Sequence, residues 1–383
     1  MKNHKLVLIT LLLLSHLAFS QNTENDVDET VKNNQENASQ SMLKNKDAKK
    51  VTIGAYGQVD YNETEGSAKG KMDVHRMVLL FGYNFTDKIQ FFTELEFEHV
   101  KEVYVEQAFL SYRANQNLAV KAGLMLVPMG IINEYHESPT FYGVERPSVD
   151  HDIVPTTWRE IGVGVSGKFG DLPFKYQGYI FNGFKSDGLR GKDGLRKGRQ
   201  KGANSVISSP TLSAKLDYYG IKGLRLGLSG YFGNTQTSGD EEAIGETIGV
   251  NMLGFDARYN YKNFKAAGQF ITTSLSNTKD YNLVNTSNLG SKLQGWYLEA
   301  GYNVLAATKK EKLSPFVRYE QYDTHAKTDG FTANDAYNRQ VTTFGINYQV
   351  APGAVFKVDY QLKDDKTSND VNNQFNAGIA IWL

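Results

Sequence analysis

From residue 51 onward the chain alternates apolar and polar residues in runs of about ten, with hardly any of the 3.6-residue spacing of an amphipathic helix. Val51, Ile53, Ala55, Val59 and Tyr61 share one face of the first run, opposite Thr52, Tyr56, Gln58 and Asp60. Ile89, Phe91, Leu95 and Phe97 oppose Gln90, Glu94, Glu96 and Glu98, and Phe356, Val358, Tyr360 and Leu362 oppose Lys357, Asp359, Gln361 and Lys363. A strand with one apolar face must cover it with a core or with lipid, so alternation alone also suits a soluble sandwich. Three features favour a membrane barrel. The strand-like texture continues to residue 383 without a helical interruption, and Tyr and Phe recur near the ends of runs, as interfacial girdles do. Tight turns (Thr86-Asp87-Lys88, Asn115-Gln116-Asn117, Asp171-Leu172-Pro173, 220–223 and Ala351-Pro352-Gly353) also alternate with connections that are mostly longer. Short periplasmic turns and long external loops give outer-membrane barrels that asymmetry.

Strands are expected near 51–61, 72–85, 88–99, 103–113, 118–128, 160–170, 174–184, 209–219, 224–233, 247–261, 264–276, 292–304, 313–323, 340–350, 354–363 and 373–383. The fold class is therefore all-β: a transmembrane antiparallel β-barrel of about sixteen strands, both ends periplasmic. The last run puts Phe375, Ala377, Ile379, Ile381 and Leu383 on one lipid-facing side. It is similar to the terminal strand that barrel-assembly machinery reads as an extended edge, although its aromatic, Trp382, is penultimate.

The N-terminus sets the compartment. Residues 1–20 combine a basic start (Lys2, Lys5), an apolar core from Leu6 to Leu14 and a small-residue ending at Ala18-Phe19-Ser20, which reads as a signal peptide. No later stretch is long and apolar enough for a spanning helix. Residues 21–50 are polar and read as a flexible periplasmic leader. The chain has no Cys, so thiolate metal sites, disulfides and thiol chemistry are excluded. Lys+Arg and Asp+Glu balance at 42 each, which argues against a nucleic-acid partner and makes any charge selectivity a matter of placement.

The stretch Ile153 to Asp171, with Trp158-Arg159-Glu160 inside it, resembles the phosphate-selective porin O/P family in its Bacteroidetes-type form. So do Tyr179-Ile180-Phe181-Asn182-Gly183 and the segment 191–202 around Arg199-Gln200-Lys201-Gly202. The resemblance covers most of 51–383. It implies a sixteen-stranded outer-membrane porin, often a homotrimer, with loops folded inward to narrow the pore.

Two long connections carry the candidate chemistry. The first, near 129–159, holds Glu134, His136, Glu137, Glu145, Arg146, Asp150, His151, Asp152 and Arg159; it is either a constriction loop or an ordinary external one. The second, near 185–208, carries Lys185, Arg190, Lys192, Arg196, Lys197, Arg199 and Lys201, which read as an anion-guiding cluster, a contact for lipopolysaccharide phosphates, or a solvated loop without a specific role. Arg76, Arg225, Arg258, Lys265, Arg318 and Lys357 fall on inward faces with Glu94, Glu96, Glu98, Asp256, Glu320 and Asp359, most of them expected to pair across the wall. Gly162-Val163-Gly164-Val165-Ser166-Gly167 fits a dinucleotide-loop pattern but sits in an alternating strand rather than a strand–turn–helix. Neither His136/Glu137 nor Asp150/His151/Asp152 has the spacing of a metal cage, and no Ser/His spacing suggests a hydrolase. The expected function is passive diffusion of small hydrophilic solutes across the outer membrane, favouring anions such as phosphate, with no catalysis and no cofactor. Expected partners are outer-membrane lipid, lipopolysaccharide and the barrel-assembly machinery. The alternative is an accessory barrel in a larger envelope or surface-attachment complex.

Overall fold

The computed structural model describes residues 36–44, 50–237, 247–306, 309–368 and 372–383. The expected signal peptide lies outside these residues, as do 21–35 and 45–49 of the expected leader. Sixteen strands form at the expected places: β1 Val51–Thr64, β2 Lys71–Asn84, β3 Ile89–Glu98, β4 Glu102–Asn115, β5 Leu118–Leu126, β6 Arg159–Lys168, β7 Phe174–Phe181 and β8 Thr211–Tyr218. They continue as β9 Leu224–Asn234, β10 Gly249–Tyr261, β11 Phe264–Ser276, β12 Lys292–Tyr302, β13 Lys312–Lys327, β14 Asn338–Ala351, β15 Ala354–Asp365 and β16 Gln374–Trp382. Each pairs antiparallel with its sequence neighbours, and β1 pairs with β16 from Tyr56↔Trp382 to Thr64↔Gln374, which closes the barrel. Closure gives every strand two partners, so no backbone edge is left to face hydrocarbon. Among the described residues no helix is long and apolar enough to cross a membrane.

The two faces are reversed relative to a soluble protein. Leu79, Leu110, Leu228, Phe255, Phe344 and Ile379 stand exposed on the outside, while Arg76, Glu94, Lys215, Arg225, Asp256, Arg318 and Lys357 are buried on the inside. That is the period-two pattern with lipid as the apolar phase. Trp382 turns inward and packs beside Tyr56, their ring centroids 6.2 Å apart, so the penultimate position of the terminal aromatic places it inside the barrel.

The dinucleotide-like glycines lie within β6, confirming a strand where the motif would need a loop before a helix. A Cβ at Gly164 would overlap the Tyr179 ring, so the bare backbone here lets that ring lie flat against the inner wall. At the short-turn end of the barrel, Pro352 and Gly353 join β14 to β15 directly after the pair Ala351↔Ala354. Gly353 has φ +81°, and a Cβ there would overlap the Trp382 carbonyl oxygen, which accepts no such approach in the terminal strand. Gly353→Val should therefore lower barrel stability by about 2 kcal/mol or more, from left-handed strain plus the clash. Gly66→Ala, at φ +75° with nothing near the added methyl, should cost about 1 kcal/mol. Urea midpoints of the heat-modifiable folded band check both; equal shifts would contradict the role given to the Trp382 contact.

Candidate functional site

The connection 127–158 leaves the wall where the β5–β6 ladder ends at Leu126↔Arg159. It does not pass outside. Val127, Met129, Ile131, Ile132, Phe141, Val144, Val149 and Val154 are all buried, and the loop crosses the lumen to the opposite strands. Lys357 on β15 donates to the carbonyls of Ser138, Phe141 and Gly143 at 2.6, 2.9 and 2.8 Å, so its three N–H bonds all hold loop backbone. Lys265 on β11 reaches the Thr140 carbonyl at 2.7 Å, and Asn347 on β14 the Tyr142 carbonyl at 3.0 Å. Asp359 accepts from Val144 N at 2.6 Å, and Gln269 from Ile131 N at 2.6 Å. Lys215 on β8 binds the Gly130 carbonyl and the Glu134 carboxylate at 2.7 and 2.8 Å. A loop with only two short helical turns, Ser138–Thr140 and Val149–Asp152, can be buried only if the rest of its backbone finds such partners, and the charged inner wall supplies them.

The second connection, 182–210, packs on the first. Trp158 is fully buried, stacks on Phe184 at 4.6 Å and meets Tyr231 edge-on at 4.6 Å, while its indole N–H donates to Glu160 at 3.0 Å. Arg196 donates to the carbonyls of Thr156 and His151 at 2.7 and 3.3 Å, and Arg199 to those of Pro155 and Thr157, both at 2.9 Å. The stretch around Trp158-Arg159-Glu160 thus joins the two loops to each other and to the wall.

The seven residues of the basic cluster separate. Arg196, Arg199 and Lys201 turn inward and gather with Arg146 of the first loop and Arg159 at the start of β6. Arg159 and Lys201 both lie over the Tyr104 ring, at 5.6 and 4.8 Å. Burial and then repulsion from Arg196, Arg159 and Arg146 push the Arg199 pKa well below the usual guanidinium range. Burial, with Arg76 and Arg196, lowers Arg146 to about 10, and burial with Arg199 and Arg159 lowers Lys201. Lys192 and Lys197 are exposed, Lys185 is half-buried, and Arg190 is exposed and pairs with Asp193 at 2.7 Å.

All six inward cations point into the lumen, and each is engaged. Arg76 faces Glu96 at 3.3 Å, Arg225 forks onto Asp217 at 2.9 and 2.7 Å, and Arg318 meets Glu299 and Glu320 at 3.2 and 2.9 Å. Arg258 stacks 3.8 Å above the Tyr135 ring, and Lys265 and Lys357 hold the loop as described. Asp256 pairs with Lys215 at 3.2 Å. Glu98 is the exception among the acids, lying at the half-exposed end of β3. Within the Asp150/His151/Asp152 group, His151 Nδ1 meets Asp152 Oδ1 at 2.7 Å, but Asp150 is engaged elsewhere and the three do not share one point. Asp150 accepts from Gln269 at 3.0 Å, Asp152 pairs with Arg339 at 3.1 Å, and the His151 side chain is half-exposed.

Sequence spacing misses one convergence. Glu94 of β3 and Glu106 of β4 meet His136 of the loop, with His136 Nε2 at 3.2 and 3.1 Å from their oxygens. Regular pairing breaks between Glu94 and Leu95, where the partner skips from Gln107 to Val105, so Glu106 is the extra residue of a bulge and turns inward beside Gln107. Its trace in the sequence is a change of parity: Val103 and Val105 face out, then Leu110 and Tyr112 do. Burial opposes a charged His136, but Glu94 and Glu106 outweigh it and hold its pKa well above the usual range.

The inner wall also receives a piece of the N-terminal segment. Helix α1, Ala38–Lys44, lies against β2 and β3: Asn37 donates to the Glu134 carbonyl at 2.8 Å, Ala38 N to Glu137 at 2.7 Å, and Arg113 to the Leu43 carbonyl at 2.9 Å.

A family model described as phosphate-selective porin O and P matches residues 51–378. A protein of Aquifex aeolicus, described as uncharacterized, is 33% identical over 360 residues, covering 88% of this chain and 80% of its own. Among solved structures, the outer membrane channel DcaP of Acinetobacter baumannii aligns at TM-score 0.60 and 13% identity over 87% of this chain and 97% of its own. An anion-selective porin from Comamonas acidovorans aligns at TM-score 0.57 and 14% identity over 87% and 99%.

The buried loop carries a pH dependence of stated sign. Burial raises the Asp150 carboxyl from 3.8 to about 7, partly offset by the Gln269 hydrogen bond. A carboxyl whose docked pKa is raised stabilises docking fully below its free pKa and loses that contribution as pH rises through the docked value. Exchange of the amides in 147–154, corrected for intrinsic rates, should therefore quicken as pH climbs from about 4 to about 7. Asp150→Asn should flatten that dependence; an unchanged profile in the variant would contradict it.

Proposed function

The chain belongs to the phosphate-selective porin O and P family, and on that premise we propose how this outer-membrane porin for small hydrophilic solutes favours anions. Solutes diffuse through the barrel beside the two inward loops, and the loops set both the width and the electric field of the path. Arg146, Arg159, Arg196, Arg199 and Lys201 form the positive element of that field.

One observation carries the reading: the positive charges of this cluster are poorly compensated. Arg196 and Arg199 spend their hydrogen bonds on neutral carbonyls, and Lys201 lies over a ring. Arg146 makes no hydrogen bond or ion pair among the described residues. Only Arg159 has a carboxylate in range, Glu106 at 3.7 Å. In a site screened from bulk water, uncompensated positive charge raises the local anion concentration and repels cations. The inner-wall cations differ in that most are matched by carboxylates or committed to the loop, so they support the path rather than select along it. Lys192 and Lys197, exposed beyond the cluster, suit phosphates of lipopolysaccharide at the rim.

Reversal potentials across planar bilayers in a salt gradient test this. The wild-type channel should favour anions, and Arg146→Gln, which removes a charge without breaking a loop contact, should lower the anion-to-cation permeability ratio by about twofold. Lys192→Gln/Lys197→Gln should leave the ratio unchanged. The opposite ranking would contradict the assignment of the inner cluster.

A further inference from the structure

The convergence of Glu94, Glu106 and His136 is more organised than a pinned loop requires. Their ligand-type atoms lie within 4.8 Å of one another, and all three residues are buried. Each carboxylate keeps one oxygen for an outer partner and turns the other inward. Glu94 Oε2 accepts from Gln107 at 2.7 Å while Glu94 Oε1 faces His136, and Glu106 Oε1 lies 3.7 Å from Arg159 while Glu106 Oε2 faces His136. The Tyr56 hydroxyl closes the group, 2.7 Å from Glu94 Oε1 and 3.5 Å from Glu106 Oε2. One inward oxygen per carboxylate, its orientation fixed from behind, is the arrangement of metal ligands with an outer shell.

Geometry and charge both go beyond what one imidazole proton satisfies. His136 Nε2 has a single hydrogen for two acceptors at 3.2 and 3.1 Å. Those separations match the edge of about 3.3 Å expected between N and O ligands bonded at about 2.0 Å around a tetrahedral ion. Glu106 lies 3.7 Å from Arg159, while Arg76 is matched by Glu96 at 3.3 Å. Glu106 Oε1 and Glu137 Oε2 are buried with no hydrogen-bond partner among the described residues. A bound cation would take the place of the imidazole proton, and Glu94 and Glu106 then bring two negative charges to it against the one guanidinium of Arg159. His136 Nδ1 has no hydrogen-bond partner among the described residues, and the ring lies edge-on to Tyr56 with centroids 6.1 Å apart.

We propose that Glu94 Oε1, Glu106 Oε2 and His136 Nε2 bind one divalent transition-metal cation, of which Zn2+ is the type. The ion ties the constriction loop to strands β3 and β4. This does not rest on the anion reading, because the three ligand atoms and their separations are the same whatever solute passes; Arg159 is the one residue common to both. The β4 bulge is what makes it possible, since uninterrupted alternation through Val105 and Gln107 would not put both Glu106 and Gln107 inside.

Purified full-length protein, stripped with a chelator and equilibrated with Zn2+, should retain about one equivalent after dialysis, read by mass spectrometry of the metal. Co2+ in its place should give the visible absorption of a four-coordinate site. His136→Ala and Glu106→Gln should each weaken Zn2+ binding by about 100-fold or more, and Gln107→Leu, which frees Glu94 from behind, by about 10-fold. His151→Ala, in the same loop with a half-exposed ring, should bind as wild type does. Folding of each variant is checked by its heat-dependent gel mobility. Zinc-edge anomalous scattering from wild-type crystals gives an answer without any variant, as a peak about 2 Å from the three ligand atoms. Absence of retained Zn2+ in the wild type, an anomalous peak elsewhere, or undiminished binding in folded His136→Ala would each overturn the site.

Discussion

A backbone crossing hydrocarbon has no water to bond, so every amide must find a partner within the sheet, and the pairing of β1 with β16 is what makes this possible for all sixteen strands. Everything else follows from that closure. A closed, twisted sheet has an inside, and alternation sends half the side chains there. Because the outside must be apolar, the chain's charge is confined to the lumen, the loops and the ends. Arg318, buried among Glu299 and Glu320, is tolerable only under this arrangement.

The charged wall in turn determines what the loop 127–158 does. Carbonyls at Ser138, Thr140, Phe141, Tyr142 and Gly143 find donors on β11, β14 and β15, so the loop lies as a strap across the lumen. The wall cations that might have formed an open selectivity ladder are mostly consumed in this work. On the reading proposed above, selectivity passes to the cations that the straps bring with them, above all Arg146, Arg196 and Arg199. Structural and selective roles are thereby divided between wall and loops.

The barrel was legible because its signal is repeated in every strand: period two, turn residues such as Pro352-Gly353, and a terminal run with one apolar side all say the same thing. Strand positions were recovered on that basis, with β13 running farther than alternation suggested, from Lys312 to Lys327. The path of the loops was not legible, since Glu134 or Asp150 has the same composition in an external loop as in a lumenal one, and only contacts with Lys215 and Gln269 distinguish them. The seven-residue basic cluster looked like one unit, and its division into inward and exposed members depends on where the backbone turns. The meeting of Glu94, Glu106 and His136 was hidden by a bulge, whose one sequence trace is the parity change between Val105 and Leu110.

The central claim is that the strap across the lumen, more than the barrel, sets the conducting path. Because Leu126 lies opposite Arg159 in the ladder, residues 127–158 can be replaced by a short hairpin turn without disturbing either strand. Single-channel conductance of that deletion in planar bilayers is the most direct test. The account predicts a several-fold rise over wild type with folding retained; an unchanged conductance from a folded barrel would contradict it.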